Sequence, residues 1–155
     1  FPSWYSAIAL GDIDSDGDED LVLSGRSHSS GEGTYVYLRD GNRYYRQSRP
    51  VNYLVGGEIR LADFDKDDDL DLIISGNTIF DSNLVRVEYF TNDGNGTFVK
   101  EIKEELIGAS REPNLQVKDF DYDGDLDVFI GGVNLFVDAN NFYFNEGMLL
   151  TLWQG

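Results

Sequence analysis

The chain has 155 residues, of which 41% are hydrophobic and 14% aromatic, so it is too apolar for a disordered protein and long enough for one folded domain. Its formal net charge of −17 and the lack of a basic cluster argue against nucleic acid as a partner. No apolar run approaches the roughly 18 residues of a membrane span, and no signal-peptide pattern stands at the start, so we do not expect a transmembrane protein.

Strand-like segments cover most of the chain and come in three successive groups of four. Each segment alternates apolar and polar residues or is rich in β-branched and aromatic residues, and Asp-Gly or Asn-Gly turns join several of them. No apolar pattern keeps the 3.6-residue period of a helix for three turns. The sequence therefore predicts an all-β fold with strands at 6–12, 20–25, 34–39 and 43–48, at 58–64, 71–76, 84–90 and 97–102, and at 114–120, 127–132, 141–145 and 149–154.

The three groups are copies of one unit of about 50 residues, a period typical of propellers and solenoids. Each copy has an acidic loop, whose first aspartates, Asp12, Asp63 and Asp119, are offset by 51 and 56 residues. An apolar run follows each loop. A strand-like segment then follows, which contains Tyr37, Tyr89 or Tyr143.

The negative charge is concentrated in these loops. Residues 12–20, 63–71 and 119–127 contain six, six and five acidic residues, 17 of the 29 in the chain, and only one base, Lys66. The rest of the chain has 12 acids and 11 bases. Because like charges about 4 Å apart repel by roughly 1 kcal/mol even in water, we expect a cation among them.

The loops share the spacing D-x-D-x-D-x-x-x-D, which suits calcium. Calcium takes six to eight oxygen ligands, and carboxylates at positions 1, 3, 5 and 9 with the carbonyl at position 7 can encircle it. The carboxylates are Asp12, Asp14, Asp16 and Asp20, then Asp63, Asp65, Asp67 and Asp71, then Asp119, Asp121, Asp123 and Asp127. The sharp turn at position 6 favours glycine, so Asp68, which replaces Gly17 and Gly124 in the middle loop, makes that loop the weakest.

An EF-hand begins with the same pattern but is excluded here. It requires a bidentate glutamate at position 12 and a helix on each side of the loop. Position 12 is Leu23, Ile74 or Ile130, each inside an expected strand. These loops are therefore predicted to connect strand to strand.

The motif D-x-D-G-D-x-D followed by DLVLSG, DLIISG or DVFIGG resembles the FG-GAP/VCBS repeat, found in the calcium-binding blades of integrin α-subunit propellers and in many bacterial secreted proteins. The resemblance implies four-stranded antiparallel β-propeller blades, with the calcium loop between the first two strands. It places the blades at about 4–49, 56–103 and 112–154 and three Ca²⁺ ions in the loops. It adds the carbonyls of Asp18, Asp69 and Asp125 to the twelve carboxylates as ligands.

Three blades are too few for a usual ring of about four to eight, so we expect part of a larger, six- to eight-bladed propeller. Repeat units stack because they cannot bury their apolar faces alone. Two completions are open, further blades from a longer parent chain or self-association of copies.

The resemblance implies a secreted, extracellular or cell-surface, non-catalytic segment that acts in adhesion or ligand recognition and meets a protein or glycan. The alternative is an accessory propeller segment of a secreted enzyme or of a lectin-like carbohydrate-binding protein, using the loops 26–33, 77–83 and 133–140. His28, the only histidine, lies in a Gly- and Ser-rich loop, and no nucleophile–base pair suggests an enzyme.

Overall fold

The computed structural model describes residues 4–27, 31–47, 51, 54–55, 57–78, 81–101, 111–133, 141–145 and 150–153. All regular elements within these residues are β-strands, and they form three antiparallel sheets. Within the same residues there is no helix of the length and hydropathy needed to cross a membrane. The prediction of an all-β fold is confirmed.

Sheet 1 contains four strands in chain order. They are β1 (Trp4–Gly11), β2 (Asp20–Ser27), β3 (Gly31–Asp40) and β4 (Arg43–Arg46). The β3–β4 hairpin turns at Gly41, whose φ of 61° is left-handed. The Asp-Gly pair in the sequence predicted this turn, because glycine adopts that conformation without a steric cost.

Sheet 2 has five strands, one more than predicted. They are β5 (Leu54–Val55), β6 (Ile59–Ala62), β7 (Asp71–Thr78), β8 (Asp81–Asn92) and β9 (Phe98–Glu101). Both β5 and β6 pair with β7, so they are two halves of one interrupted strand. At the interruption a Cβ on Gly57 would lie 1.8 Å from the carbonyl oxygen of Ser75, so only glycine fits there.

Sheet 3 repeats the chain-order arrangement with four strands. They are β10 (Arg111–Lys118), β11 (Asp127–Val133), β12 (Asn141–Asn145) and β13 (Leu150–Trp153). The four-stranded sheets predicted for the first and third repeats are thus present.

A one-residue bulge lies at the same place in the first strand of every sheet. In sheet 1, Trp4 pairs with Arg26 and Ala7 with Ser24, so the first strand contains one residue more than its partner. The equivalent pairs are Val55–Asn77 and Ile59–Ile74 in sheet 2, and Arg111–Val133 and Asn114–Gly131 in sheet 3. Such a bulge increases the local twist, and its repetition makes the three sheets structural copies.

The sheets stack face to face, with sheet 2 in the middle. Successive residues of a strand point to opposite faces. On β7, Leu72 and Ile74 accordingly join a core shared with sheet 1, whereas Ile73 joins a core shared with sheet 3. The first core contains Ile13, Val22, Val36, Leu54, Ile59, Leu72, Ile74 and Phe90, and the second Phe64, Ile73, Val87, Tyr89, Leu115, Val128 and Ile130.

The face of sheet 1 that points away from sheet 2 is apolar and open. Ile8 lies four residues before the first loop aspartate, as Ile59 and Leu115 do in their repeats. Ile59 and Leu115 pack against the preceding sheet and are 2% and 0% exposed, whereas Ile8 is 61% exposed. Leu10 on the same face is also exposed.

Tyr37 and Tyr89 lie in the third strands of their repeats but differ by one residue in position. Tyr37 pairs with Leu21, and the residue that pairs with the equivalent Leu72 is Phe90. Because a shift of one residue reverses the face of a strand, Tyr89 lies in the core facing sheet 3 while Phe90 faces sheet 1.

Candidate metal sites

Each acidic loop connects the first two strands of its sheet. Loop 1 (residues 12–20) runs from the end of β1 into β2, loop 2 (63–71) from β6 into β7, and loop 3 (119–127) from β10 into β11. None of them is flanked by a helix within the described residues. The strand-to-strand placement predicted from the sequence is therefore correct.

The first aspartate of each loop closes the turn on itself. Asp12 accepts the backbone N–H of Asp16 through Oδ1 at 3.1 Å and that of Gly17 through Oδ2 at 3.0 Å. Asp63 accepts those of Asp67 and Asp68 in the same way, each at 3.2 Å. In loop 3, Oδ2 of Asp119 accepts the N–H of Gly124 at 3.0 Å. These bonds curl the loop around its first carboxylate.

The ninth aspartate of each loop is buried and accepts a backbone N–H of its own loop, and in loops 1 and 2 it also accepts one from the third strand of the sheet. Oδ2 of Asp20 accepts the N–H of Ile13 at 2.8 Å, and Oδ1 accepts that of Arg39, from β3, at 2.8 Å. Asp71 and Asp127 repeat the first of these bonds with Phe64 and Phe120. The ninth aspartate therefore ties the loop to the sheet, a role that its spacing alone did not predict.

In sheet 2 the ninth aspartate has three donors. Besides Phe64, Asp71 accepts the N–H of Asn92 at 3.0 Å and the hydroxyl of Tyr89 at 2.8 Å. Burial raises the pKa of Asp71, and the three hydrogen bonds oppose that rise. Burial and the bond to Asp71 raise the pKa of the Tyr89 hydroxyl, so it remains protonated and a donor.

Three carboxylates converge in each loop. In every group one oxygen from each residue lies within 4.8 Å of the others. The groups are Asp12, Asp14 and Asp20 in loop 1, Asp63, Asp65 and Asp67 in loop 2, and Asp119, Asp121 and Asp127 in loop 3.

The remaining predicted carboxylate of each loop lies outside its group. Oδ1 of Asp16 accepts the N–H of Asp18, and Oδ1 of Asp123 that of Asp125, each at 2.8 Å. In loop 2 the outlying residue is Asp71, which is engaged with its three donors.

Each group contains a buried carboxylate oxygen with no hydrogen-bond partner among the described residues. These atoms are Oδ1 of Asp14, Asp65 and Asp119. An uncompensated buried carboxylate is costly, and paired buried charges or metal coordination are the usual remedies. The donors are all hard oxygens, so the loops fit a cation such as calcium better than a soft metal.

Two residues in each loop have a left-handed backbone. At position 6 the φ angles are 89° for Gly17, 73° for Asp68 and 94° for Gly124, so Asp68 adopts the conformation expected of it. The sequence did not indicate the second residue, at position 4. There Ser15, Lys66 and Tyr122 have φ of 59°, 63° and 65°. Such strain persists where the surrounding contacts enforce it.

We expect Asp68→Gly to raise the melting temperature in calcium by roughly 2–4 °C and to strengthen calcium binding in loop 2 alone. Glycine relieves about 1 kcal/mol of left-handed strain, which corresponds to a shift of that size in a chain of this length. Asp68→Asn is the matched control, since it removes the same charge but keeps a side chain. An equal gain in Asp68→Asn would contradict the strain explanation.

The aspartate at position 7 has different side-chain partners in loops 1 and 3. Asp18 accepts the N–H of Gly41 at 3.0 Å and lies 3.9 Å from the guanidinium of Arg39. Asp125 pairs with the ammonium of Lys66, from loop 2. These contacts occupy the side chains and are compatible with a metal ligand role for the position 7 carbonyl.

Loop 2 has two carboxyl groups with strongly raised pKa values. Burial, followed by repulsion from Asp71, raises the pKa of Asp65 to about 6. Burial, followed by repulsion from Asp67, raises the pKa of Asp69 to about 6. No Lys or Arg pairs with Asp69 in the described part of the chain.

Without calcium, we expect the chain to be more stable at pH 5 than at pH 7. The folded-state pKa values of Asp65 and Asp69 lie above the unfolded values near 4, so the folded state binds more protons and loses stability as pH rises through about 6. With calcium the trend should reverse, because protons compete with the cation. Melting curves at several pH values, with and without calcium, test this, and a calcium-free stability that increases from pH 5 to 7 would contradict it.

Comparison with known protein families places this geometry in context. Residues 63–130 match the family model described as the FG-GAP-like repeat. The match begins at the first aspartate of loop 2 and ends in β11, so it contains loops 2 and 3. No curated protein matches the chain. Loops 2 and 3, and the strands between them, are therefore similar to the FG-GAP-like repeat.

Proposed function

We propose that the chain is a non-catalytic, calcium-binding segment of an extracellular β-propeller that acts in adhesion or ligand recognition. The observation that carries the proposal is the convergence of three carboxylates in each loop, with one buried oxygen that lacks a partner among the described residues. Three loops repeat this arrangement in structurally equivalent sheets. Calcium would neutralise the carboxylates and hold the first two strands of each sheet together.

The sheets have the properties of propeller blades. Each runs in chain order from its first strand to its last, and neighbouring sheets share an apolar core. Propellers are built from four-stranded sheets arranged in this way around an axis. We therefore assign one blade to each sheet, at about 4–49, 56–103 and 112–154.

Another blade should cover the open face of sheet 1. Ile8 is exposed, although Ile59 and Leu115 at the same repeat position are buried by the preceding sheet. The covering blade would come from a longer parent chain or from a second copy. Light scattering of the 155-residue chain in calcium separates the two, because self-association predicts a defined oligomer. A monodisperse monomer with a cooperative melt would contradict the need for further blades.

Calcium fits the loops better than magnesium does. Magnesium requires octahedral geometry near 2.1 Å and retains its waters, whereas calcium accepts irregular sets of six to eight oxygens. Calorimetric titration should find three calcium sites and weak or no magnesium binding. A chain with Asp14→Asn, Asp65→Asn and Asp121→Asn should bind no calcium. Equal binding by this variant would refute the assignment.

An extracellular location is consistent with these loops. Because the loops lack the bidentate glutamate of an EF-hand, we expect dissociation constants for calcium of about 10⁻⁴ to 10⁻³ M, the range of extracellular calcium modules. Such sites would fill only where calcium is abundant. A nanomolar dissociation constant in the same titration would remove this support.

The ligand is proposed to be a protein or a glycan at the cell surface. The alternative remains an accessory propeller segment of a secreted enzyme or of a lectin-like protein, in which the connections 26–33, 77–83 and 133–140 would carry the contacts. Within these connections, residues 28–30, 79–80 and 134–140 lie outside the described residues. A glycan screen with the intact parent protein distinguishes the two, because selective glycan binding would favour the lectin-like alternative.

A further inference from the structure

Asn92, at the end of β8, contacts two neighbouring acidic loops. The residue is only 8% exposed. Its Nδ2 donates to the carbonyl oxygen of Ile13 in loop 1 at 2.8 Å and to that of Leu70 in loop 2 at 3.2 Å. Its backbone N–H donates to Oδ1 of Asp71, the ninth residue of loop 2, at 3.0 Å. A single buried residue thus joins loop 1 to loop 2.

The contact in loop 1 falls between two candidate metal ligands. Ile13 separates Asp12 from Asp14, and its side chain is fully buried in the core between sheets 1 and 2. Its N–H is held by Asp20 of its own loop, while its carbonyl is held by Asn92 of the next sheet. The backbone that aims both carboxylates is therefore fixed partly by sheet 2.

We propose that Asn92 is a positioning residue that couples the first two loops, so that a calcium ion in either loop raises the calcium affinity of the other. The inference rests on the proposed calcium-binding function. An ion held by the converging carboxylates of loop 2 would make that loop rigid, including the Leu70 carbonyl and the Asp71 carboxylate that bind Asn92. The amide of Asn92 would then hold Ile13 in place. Linkage requires the effect to be equal in both directions.

The equivalent residue of sheet 1 lacks this link. Arg39 also donates its backbone N–H to the ninth aspartate of its loop, Asp20, at 2.8 Å. Its guanidinium, however, turns back to the carbonyl oxygen of Gly41 at 2.7 Å. No sheet precedes sheet 1 among the described residues, so at this backbone position the described link between two loops is the one made by Asn92.

A double-mutant cycle tests the coupling. The amide resonance of Gly17 reports calcium binding in loop 1 by NMR, and Asp65→Asn disables loop 2. In the wild-type background, Asp65→Asn should weaken binding in loop 1 by about 5-fold or more, the lower end of typical coupling. In an Asn92→Ala background it should cause no further change. An equal effect of Asp65→Asn in both backgrounds would overturn the proposal.

Asn95→Ala provides the matched control. Asn95 is an exposed asparagine of the same hairpin, and its Nδ2 donates only locally, to the carbonyl oxygen of Asp93 at 3.0 Å. In the Asn95→Ala background, Asp65→Asn should weaken calcium binding in loop 1 as much as it does in the wild type. If Asn92→Ala does not fold, Asn92→Ser replaces it, because a hydroxyl can accept the N–H of Asp93 but is too short to reach Ile13.

A measurement without calcium separates this inference from the proposed function. Hydrogen exchange of the Asp16 and Gly17 amides, which bond to Asp12, reports how firmly loop 1 is held. Asn92→Ala should accelerate this exchange several-fold, and Asn95→Ala should not. Equal rates in the two variants would overturn the link through Asn92. If calcium does not shift the Gly17 resonance of the wild type, the proposed function is overturned instead. The exchange rates then still show whether Asn92 links the two loops.

Discussion

Removing calcium from the purified chain is expected to lower its melting temperature by more than about 10 °C. A ligand present at 100 times its dissociation constant stabilises the folded state by about 2.7 kcal/mol per site, so three sites filled to this degree contribute roughly 8 kcal/mol. In a chain of this length each kcal/mol shifts the melting temperature by about 2–4 °C. The effect is large because removal of the cation also leaves the buried oxygens of Asp14, Asp65 and Asp119 unsatisfied.

Scanning calorimetry with calcium and with excess chelator measures this shift. The variant with Asp14→Asn, Asp65→Asn and Asp121→Asn is the control, since each substitution preserves side-chain shape but removes a charge. Its melting temperature should be the same in calcium and in chelator. Magnesium at the same concentration should not replace calcium. A wild-type melt that is unchanged in chelator would contradict calcium-dependent stability.

The strands and the loop positions could be predicted because each repeat encodes them locally. Alternating apolar residues mark the strands, and aspartates at every second position mark the loops between them. The Asp-Gly pair at residues 40–41 marks a hairpin in the same local way. Three copies of one pattern reinforce each other, so a departure such as Asp68 stands out and its left-handed backbone could be expected.

Features that depend on contacts between distant residues could not be predicted. The spacing identifies Asp20 only as the ninth residue of a metal loop, whereas its burial and its bond to Arg39 depend on how β3 lies beside β2. The difference of one position between Tyr37 and Tyr89 could not be predicted for the same reason. Both are tyrosines on third strands, but only the pairing register decides which face each occupies.

The link through Asn92 belongs to the same class. Its sequence context, TNDGNG, indicates a hairpin turn and nothing more. Asn92 and Ile13 are 79 residues apart along the chain, and the amide reaches Ile13 only because sheet 2 stacks on sheet 1. Contacts between stacked sheets thus add information that no single repeat contains.

Substitution of Asp71 is expected to destabilise the chain strongly even without calcium. Asp71→Ala leaves three buried donors without an acceptor, namely the N–H groups of Phe64 and Asn92 and the hydroxyl of Tyr89. Each unsatisfied buried group costs about 1–3 kcal/mol, so we expect a loss of at least about 3 kcal/mol. Tyr89→Phe, which removes only one of these bonds, should cost about 1 kcal/mol.

Asp67→Ala separates this structural role from metal binding. Asp67 is a candidate ligand of the same loop, but it is exposed, and the one backbone N–H that it accepts, from Asp69 at 3.2 Å, lies in its own loop. Both alanine variants should lose the calcium-dependent stabilisation contributed by loop 2. In calcium-free urea denaturation, however, Asp67→Ala should remain close to the wild type while Asp71→Ala unfolds at much lower denaturant. A buried carboxylate that accepts from three donors cannot be removed without a loss of stability. Equal calcium-free stabilities of the two variants would therefore contradict the structural role of Asp71 and show that it acts only through the metal.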